Sequence, residues 1–254
     1  MLINLLKKKR KVMHSICRFF LFYSIVFLTG CANIKSISHE KFEKLYPPDS
    51  ITIIYHTDWT KNHYRERVQE FKKEPLRRGD IVFIGNSITE GGKDWGLKLN
   101  LPNVKNRGIS GDCTDGVLQR LDEINYFKPK VIFILIGVND LFNLYYQKQI
   151  PSPEYVGINI LKIAQTIHDK TPKTIIYVQT ILPTSQDFMK ENINKVNEAI
   201  KAYANDNNYT LIDLHAVFSD EKGFLKKDLT YDGTHLNDAG YKVWVNYINR
   251  YVKQ

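Results

Sequence analysis

Cysteine is scarce in this chain of 254 residues, and the positions of the three cysteines exclude a disulfide framework in its body. Cys17 and Cys31 lie in the N-terminal segment, which leaves Cys113 alone in the rest of the chain. Small secreted domains that depend on cross-links need paired cysteines. The chain is long enough for one domain with a sizeable core, or for two very small ones. We interpret Cys113 as a small, semi-buried residue, with a reactive thiol as the alternative.

Several motifs of metal and nucleotide chemistry are also missing. The chain has no His-Glu-x-x-His motif, no Cys-x-x-Cys pair and no Gly-x-x-x-x-Gly-Lys phosphate loop. It also lacks internal repeats and low-complexity tracts, and its composition, 43% hydrophobic and 25% charged, is that of a globular protein. We therefore expect neither a metal nor another cofactor.

Acidic residues are absent from residues 1–30, and this asymmetry accounts for most of the net charge of +9. The same segment holds six of the 36 basic residues, so the rest of the chain holds 30 basic and 27 acidic residues. The body is therefore only slightly basic. The run KKKRK at 7–11 is compatible with a nucleic-acid patch, but the apolar run that follows it argues against that interpretation, and we expect no nucleic-acid partner.

A long hydrophobic run is missing too. Phe19–Leu28 is apolar, but it is too short for a transmembrane helix. A basic segment, a short apolar run and small residues before Cys31 are typical of a secretory signal. The sequence Leu-Thr-Gly-Cys resembles the bacterial lipobox, which implies that Cys31 is lipidated. We predict a lipoprotein signal peptide over 1–30 and a lipid anchor in the bacterial cell envelope, on the periplasmic or cell-surface side. Secretion and an uncleaved membrane anchor are the alternatives, and Met13 is an alternative start.

The remaining chain predicts a tether and lead-in segment over 31–57 and one domain over 58–254 that begins with a helix. Tyr64, Val68 and Phe71 recur at helical spacing, and Pro75 ends that helix. Strands and helices then alternate, which predicts an α/β sandwich with a parallel sheet. The predicted strands are 81–85, 104–107, 131–136, 174–179 and 209–213, and the predicted helices are 59–73, 114–124, 154–169, 188–206 and 238–252.

Polar and glycine residues follow the predicted strands, at the edge where a parallel sheet binds its ligand. Ser87 follows the first strand, Gly111 lies in a glycine-rich turn after the second, and Asn139 follows the third. Asp232 and His235 lie three residues apart in the loop before the last helix. Each feature has a plain alternative: a turn after a strand, a glycine needed for backbone geometry, a capping acid or a surface histidine. All of these residues are predicted to lie at one rim, the edge of the sheet formed by the carboxyl ends of the strands, and this favours a catalytic site.

The chemistry of these residues is consistent with acyl transfer. A serine hydroxyl needs a base to become a nucleophile, and His235 can accept the proton of Ser87. Asp232 can fix the imidazole tautomer. Donors for a developing oxyanion are the backbone N–H groups of Ser87 and Gly111 and the side-chain amide of Asn139.

The same residues resemble the SGNH, or GDSL-type, hydrolases. The four blocks read GNSIT, NRGISGD, GVND and DGTH, in that order. The resemblance implies a flavodoxin-like three-layer α/β/α sandwich with a five-stranded parallel sheet, and metal-free esterase activity with Ser87, Asp232 and His235 as the catalytic residues. Asn86 stands where the family usually has aspartate, and the sequence assigns it no role.

The second block is similar to that of platelet-activating-factor acetylhydrolase subunits and bacterial carbohydrate acetylesterases. This resemblance implies short acyl groups, chiefly O-acetyl groups on carbohydrates such as sialic acid or polysaccharide. A lysophospholipase or lipase and a non-catalytic glycan-binding lipoprotein are the alternatives. We interpret Trp95, Tyr145 and Tyr146 as core or rim packing residues, with sugar stacking as the alternative for each. We interpret the histidines other than His235 as structural or surface residues.

Overall fold

The computed structural model describes residues 37–204 and 209–252. The predicted signal peptide, Cys31 and the start of the predicted tether lie outside the described residues. Contacts divide the chain into two units, Met1–Lys41 and Phe42–Gln254. A short helix, α1 (His39–Glu43), spans this boundary. Among the helices described, none combines the length and the hydropathy that a membrane span requires.

The Phe42–Gln254 unit is built around a sheet of five parallel strands, as predicted. The strands are β1 (Ile81–Gly85), β2 (Val104–Gly108), β3 (Val131–Leu135), β4 (Ile175–Gln179) and β5 (Thr210–Ile212). Their order across the sheet is β2-β1-β3-β4-β5. Every residue of β1 and β3 is buried, as expected for parallel strands covered on both faces. β2 pairs with one edge of β1 and β3 pairs with the opposite edge, so the direction of the chain reverses at β1. In sheets of this kind the ligand crevice lies beyond the carboxyl ends of the strands at that point.

Helices cover both faces of the sheet. They are α2 (Asp58–Lys73), α3 (Ser87–Glu90), α4 (Trp95–Leu99), α5 (Thr114–Leu118), α6 (Asp122–Phe127), α7 (Val138–Tyr146), α8 (Pro153–Lys170), α9 (Asp187–Ala202), α10 (Leu214–Phe218) and α11 (Asp238–Val252), with a 3₁₀ turn at Lys227–Leu229. The four long helices α2, α8, α9 and α11 match their predicted positions to within a few residues. This arrangement confirms the predicted three-layer sandwich.

Two helical predictions need correction. The helix predicted over 114–124 is two helices, α5 and α6, because the chain turns inward between them. Arg120 lies in that turn and buries its guanidinium group against the ends of β1 and β2. The sequence indicated no helix at Asn139, but α7 begins at Val138. Gly137 makes the abrupt change from strand to helix possible, since its φ of +124° is strained for other residues.

Aromatic rings form the core on one face of the sheet. Phe83 of β1 stacks on Phe133 of β3 at 4.7 Å and on Trp95 of α4 at 4.2 Å between ring centroids. Trp244 of α11 packs edge-on against Trp95 at 4.7 Å. Trp95 is only 1% exposed. This burial confirms the interpretation of Trp95 as a core residue and excludes the sugar-stacking alternative.

The described end of the predicted tether belongs to the same unit as the sheet. Leu45, Tyr46, Ile53 and His56 are all buried within the Phe42–Gln254 unit. His56 also contacts the functional rim, as described below.

Candidate active site

Ser87 is the first residue of α3, immediately beyond the end of β1. Gly85 allows this turn, since a Cβ there would lie 2.1 Å from the carbonyl oxygen of Leu135. Asn86 is buried, and its side-chain Oδ1 accepts a hydrogen bond from the N–H of Ile88 at 3.1 Å. Asn86 is thus the N-cap of the helix that presents the serine, which is the role that the sequence left unassigned.

The structure brings Ser87 together with the two residues predicted as its partners. Its Oγ lies 2.9 Å from Nε2 of His235, and Nδ1 of His235 lies 2.6 Å from Oδ2 of Asp232. The other carboxylate oxygen of Asp232 accepts the backbone N–H groups of Thr234 at 2.9 Å and His235 at 2.7 Å. The carboxylate fixes Nδ1 as a donor, so Nε2 is free to accept the serine proton.

Asp232 is ionised in this arrangement. Partial burial acts to raise the pKa of its carboxyl group, but the hydrogen bonds from His235 and Thr234 outweigh burial and hold the pKa below its usual value. A permanent negative charge beside the imidazole stabilises the imidazolium that forms when Ser87 loses its proton.

The other two predicted oxyanion donors, Gly111 and Asn139, follow β2 and β3, at the edge of the sheet where Ser87 follows β1. Gly111 has a φ of +80°, and a Cβ there would lie 2.5 Å from Oγ1 of Thr60, so glycine is required for both conformation and space. Nδ2 of Asn139 donates to the carbonyl oxygen of Asp112 at 2.9 Å. An amide nitrogen carries two hydrogens. That bond uses one hydrogen and restrains the amide, which leaves its second hydrogen available for another acceptor.

A buried ion pair holds the loop that carries Gly111. The Arg120 guanidinium donates to Oδ2 of Asp112 from Nη2 at 2.9 Å and from Nε at 3.1 Å. It also donates to the carbonyl oxygens of Gly85 at 3.0 Å and Arg107 at 2.7 Å, at the ends of β1 and β2. Arg120 thereby connects the loop to the strands, and sequence inspection gave no sign of this role.

Asp140, the neighbour of Asn139, makes a second connection to the same loop. Its buried carboxyl group accepts the hydroxyl of Thr114 at 2.6 Å and the N–H of Thr114 at 3.0 Å. Complete burial raises the pKa of Asp140 to about 7, although the bonds from Thr114 oppose the rise. The acid of the third block thus fixes the position of α7 relative to α5.

Two groups of potential metal ligands occur among the described residues, and both include Cys113. The first adds His56 and Asp112, and the second adds Asp115 and Asp140. The carboxylates of both groups already accept buried hydrogen bonds, and Asp112 is neutralised by Arg120. Nε2 of His56 lies 3.1 Å from Oδ1 of Asp112 and donates a hydrogen bond to this carboxylate, consistent with the interpretation of His56 as a structural residue. Burial also raises the pKa of the Cys113 thiol, which opposes a reactive thiolate.

Three tyrosines are exposed, and one of them lies beside His235. Tyr146 is 61% and Tyr145 is 47% exposed, and Tyr145 stacks on Phe188 at 3.9 Å between centroids. Tyr231, which the sequence did not single out, is 70% exposed and lies parallel to the His235 ring at 5.8 Å. The sequence signal for a role of Tyr231 at the site is its position directly before Asp232.

Comparison with known proteins identifies the family. The model of the GDSL-like lipase/acylhydrolase family matches residues 83–243. N-acylneuraminate cytidylyltransferase from Escherichia coli O18:K1:H7 is 29% identical over 194 residues, which are 74% of this chain and 43% of that protein. The chain thus spans less than half the length of this curated relative.

Solved structures share the fold. A protein from Streptococcus pneumoniae described as a platelet activating factor superposes with a TM-score of 0.66 and 26% identity, over 77% of this chain and 95% of its own. An acetylxylan esterase from Geobacillus stearothermophilus gives a TM-score of 0.58 and 20% identity, over 70% and 96%. The family match covers more than half of the chain and includes Ser87, Gly111, Asn139, Asp232 and His235. The chain therefore belongs to the GDSL-like lipase/acylhydrolase family.

Proposed function

We propose that the enzyme hydrolyses short-chain esters, chiefly acetyl esters, with Ser87 as nucleophile, His235 as general base and acid, and Asp232 as the orienting carboxylate. The observation that carries this proposal is the continuous hydrogen-bond chain from Ser87 Oγ through the imidazole to Asp232, with distances of 2.9 and 2.6 Å. Geometry of this kind, in which the base is itself oriented by a third group, is what an activated serine requires.

Catalysis then proceeds in two halves. Ser87 Oγ attacks the carbonyl carbon as its proton passes to Nε2 of His235, and the oxyanion accepts hydrogen bonds from the Ser87 and Gly111 N–H groups and the Asn139 amide. The tetrahedral intermediate collapses, the imidazolium protonates the leaving alkoxide, and an acyl-enzyme remains. Water, deprotonated by His235, attacks the acyl carbon. A second collapse releases the carboxylic acid and returns the proton to Ser87.

We propose a carbohydrate as the alcohol that carries the acyl group, with an N-acylneuraminate as the first candidate. The curated relative is named for its action on N-acylneuraminate, which supports this candidate. Exposed Tyr145, Tyr146 and Tyr231 offer flat apolar faces on which a sugar ring can pack. Acetylxylan esterases occur among proteins of this fold, which supports acetyl as the acyl group.

We also propose that a lipid on Cys31 anchors the enzyme in the bacterial cell envelope, since the basic and apolar segments before it are typical of a signal peptide. A cell that expresses the full chain should incorporate a labelled fatty acid into the protein, and a Cys31→Ser variant should not. Labelling that persists in Cys31→Ser would refute the anchor.

The test of the proposed activity is an acetate-release assay with the purified enzyme on O-acetylated sialic acid, acetylated xylan and p-nitrophenyl acetate, alongside p-nitrophenyl palmitate. We expect acetate release from the acetylated substrates and slow turnover of the palmitate. Ser87→Ala should lower kcat by roughly 10⁴–10⁶-fold without unfolding the protein. Wild-type turnover in Ser87→Ala would overturn the mechanism, and faster turnover of the palmitate would favour a lipase or lysophospholipase.

A further inference from the structure

Glu90 joins the helix of the nucleophile to the loop of the oxyanion glycine. It lies three residues after Ser87, at the end of α3. Its Oε2 accepts the N–H of Ser110 at 2.5 Å and the hydroxyl of Ser110 at 2.6 Å. Ser110 directly precedes Gly111. One side chain therefore connects the element that places the nucleophile with the residue next to a predicted oxyanion donor.

Helix α2 completes the contact from the other side. Nε2 of His63 lies 2.9 Å from Oε2 and 3.0 Å from Oε1 of Glu90, and Nε of Arg67 lies 3.4 Å from Oε1. Trp59 stacks on the His63 ring at 4.9 Å, which restricts its orientation. The family match begins at residue 83, so these partners come from a part of the chain that the match does not cover.

The same helix also touches the oxyanion loop directly. Arg67 donates to the carbonyl oxygen of Gly108 from Nη2 at 3.2 Å and from Nε at 3.3 Å. Thr60 lies against Gly111, where a Cβ would come within 2.5 Å of its hydroxyl oxygen. The loop is thus confined between α2 and α3. Glu90 forms hydrogen bonds to both the loop, at Ser110, and α2, at His63.

The surroundings of Glu90 favour its ionised, carboxylate form. Its side chain is 22% exposed, and burial acts to raise its pKa, but the bonds from Ser110 and His63 and the charge of Arg67 outweigh burial and lower the pKa. Charge-assisted hydrogen bonds are shorter and stronger than neutral ones, consistent with the 2.5 and 2.6 Å distances to Ser110.

We propose that Glu90 is a positioning residue for the esterase reaction: it holds Ser110, and through it the N–H of Gly111, at a fixed place relative to Ser87. This inference rests on the proposed function, because it assumes that the Gly111 N–H stabilises an oxyanion. Neither oxygen of Glu90 needs to contact the substrate.

The role predicts a particular kinetic signature. The oxyanion exists only in the tetrahedral transition state and intermediate, so a misplaced donor raises the barrier of the chemical step without weakening ground-state binding. Loss of Glu90 should therefore lower kcat and leave KM nearly unchanged. Misplacement by about 1 Å is enough to cost roughly 10²-fold in rate.

The experiment compares Glu90→Gln with a matched control, Glu70→Gln, on p-nitrophenyl acetate. Glutamine keeps the shape of Glu90 but loses its charge and one acceptor oxygen. Glu70 also pairs with Arg67 but makes no contact with Ser110. We expect Glu90→Gln to lower kcat about 10-fold, with KM within about twofold and an unchanged melting temperature, and Glu70→Gln to leave kcat within about twofold. Ser110→Ala, which removes only the hydroxyl donor, should reproduce part of the loss in the wild type and have little effect in Glu90→Gln.

Each contrary result overturns this inference separately from the proposed function. Wild-type kcat in Glu90→Gln, a loss confined to KM, or an equal loss in Glu70→Gln would each show that Glu90 does not position the donor. Since Ser87→Ala is measured in the same assay, an inactive Ser87→Ala beside a fully active Glu90→Gln would leave the serine mechanism intact. Full activity in Ser87→Ala would instead remove the mechanism itself.

Discussion

The two halves of the active site are held in place in different ways. The acid–base half is local: His235 bonds to Asp232, and its carbonyl oxygen accepts the hydroxyl of Thr230 at 2.5 Å, all within one partly exposed loop. The oxyanion half is assembled over long distances in the chain. Arg120 is buried against Asp112 and the ends of two strands, so the loop of Gly111 cannot move without breaking the ion pair.

The difference follows from what each half does. A base has to exchange protons with serine, leaving group and water, which requires access to solvent. Oxyanion donors stabilise charge only if they are already oriented when that charge appears, since reorientation would cost part of the gain. A rigid, buried support suits the donors. We therefore expect substitutions in the acid–base half to affect activity far more than stability, and substitution of the buried Arg120 support in the oxyanion half to affect stability as well.

The largest expected effect is the loss of activity in His235→Ala. Without the imidazole, no group accepts the proton of Ser87, and kcat should fall by roughly 10⁴-fold or more. Because His235 lies in a partly exposed loop, the free energy of unfolding should change by less than about 1 kcal/mol. Paired measurements of kcat and of urea unfolding check both statements. A loss of several kcal/mol in stability would contradict the local character of this half.

The local half is also the half that the sequence predicted best. Asp232 and His235 are three residues apart, and one turn of chain is enough to bring a carboxylate to an imidazole. The strands were equally accessible, because a continuous apolar run such as Val131–Ile136 can hardly be anything but a strand covered on both faces. Short-range patterns thus predicted the sheet and the positions of the site residues along it.

Long-range partners were beyond the reach of these patterns. Nothing near Arg120 in the sequence indicates that its charge is buried, and its place in the predicted helix 114–124 was typical of an exposed helical residue. Glu90 reads as an ordinary acid in a short turn, although its partners come from residues 63, 67 and 110. Trp95 shows the same limit, because only the fold shows that Phe83 covers it and thereby decides between core packing and sugar stacking. A residue's burial depends on partners that its neighbours in sequence do not reveal.

The next largest effect should be the loss of stability in Arg120→Met. Methionine fills part of the space, but the Asp112 carboxylate stays buried without its cation. Breaking a buried ion pair from one side typically costs about 3–5 kcal/mol. Urea unfolding should show this loss as a lower midpoint with an unchanged slope. Adding Asp112→Asn to Arg120→Met should recover part of the stability, since no unpaired charge then remains. A stability loss below about 1 kcal/mol in Arg120→Met would show that the ion pair does not support the loop.

The last expected effect concerns pH, and it contrasts one acid from each half. The pKa of Asp140 is raised to about 7 by burial, so between about pH 4 and pH 7 the folded protein holds a proton that the unfolded chain has released. The stability from this group is complete below about pH 4 and is lost as the pH rises towards 7. The pKa of Asp232 is lowered by its hydrogen bonds, so its contribution has the opposite sign and is lost as the pH falls below the usual range of an aspartate.

Substitution of each acid by asparagine separates the two contributions. In the wild type, the Asp140 carboxyl group should lower the unfolding free energy by at most about 1.4 kcal/mol per pH unit between pH 4 and pH 7. In Asp140→Asn, this decrease should be absent. In Asp232→Asn, that region should keep the wild-type slope, and the change should appear only on the acid side. Urea unfolding at a series of pH values measures both curves. If Asp140→Asn kept the wild-type slope from pH 4 to 7, Asp140 would be ionised throughout. The oxyanion half would then rest on a second buried charge, stabilised by Thr114 alone, rather than on a neutral acid.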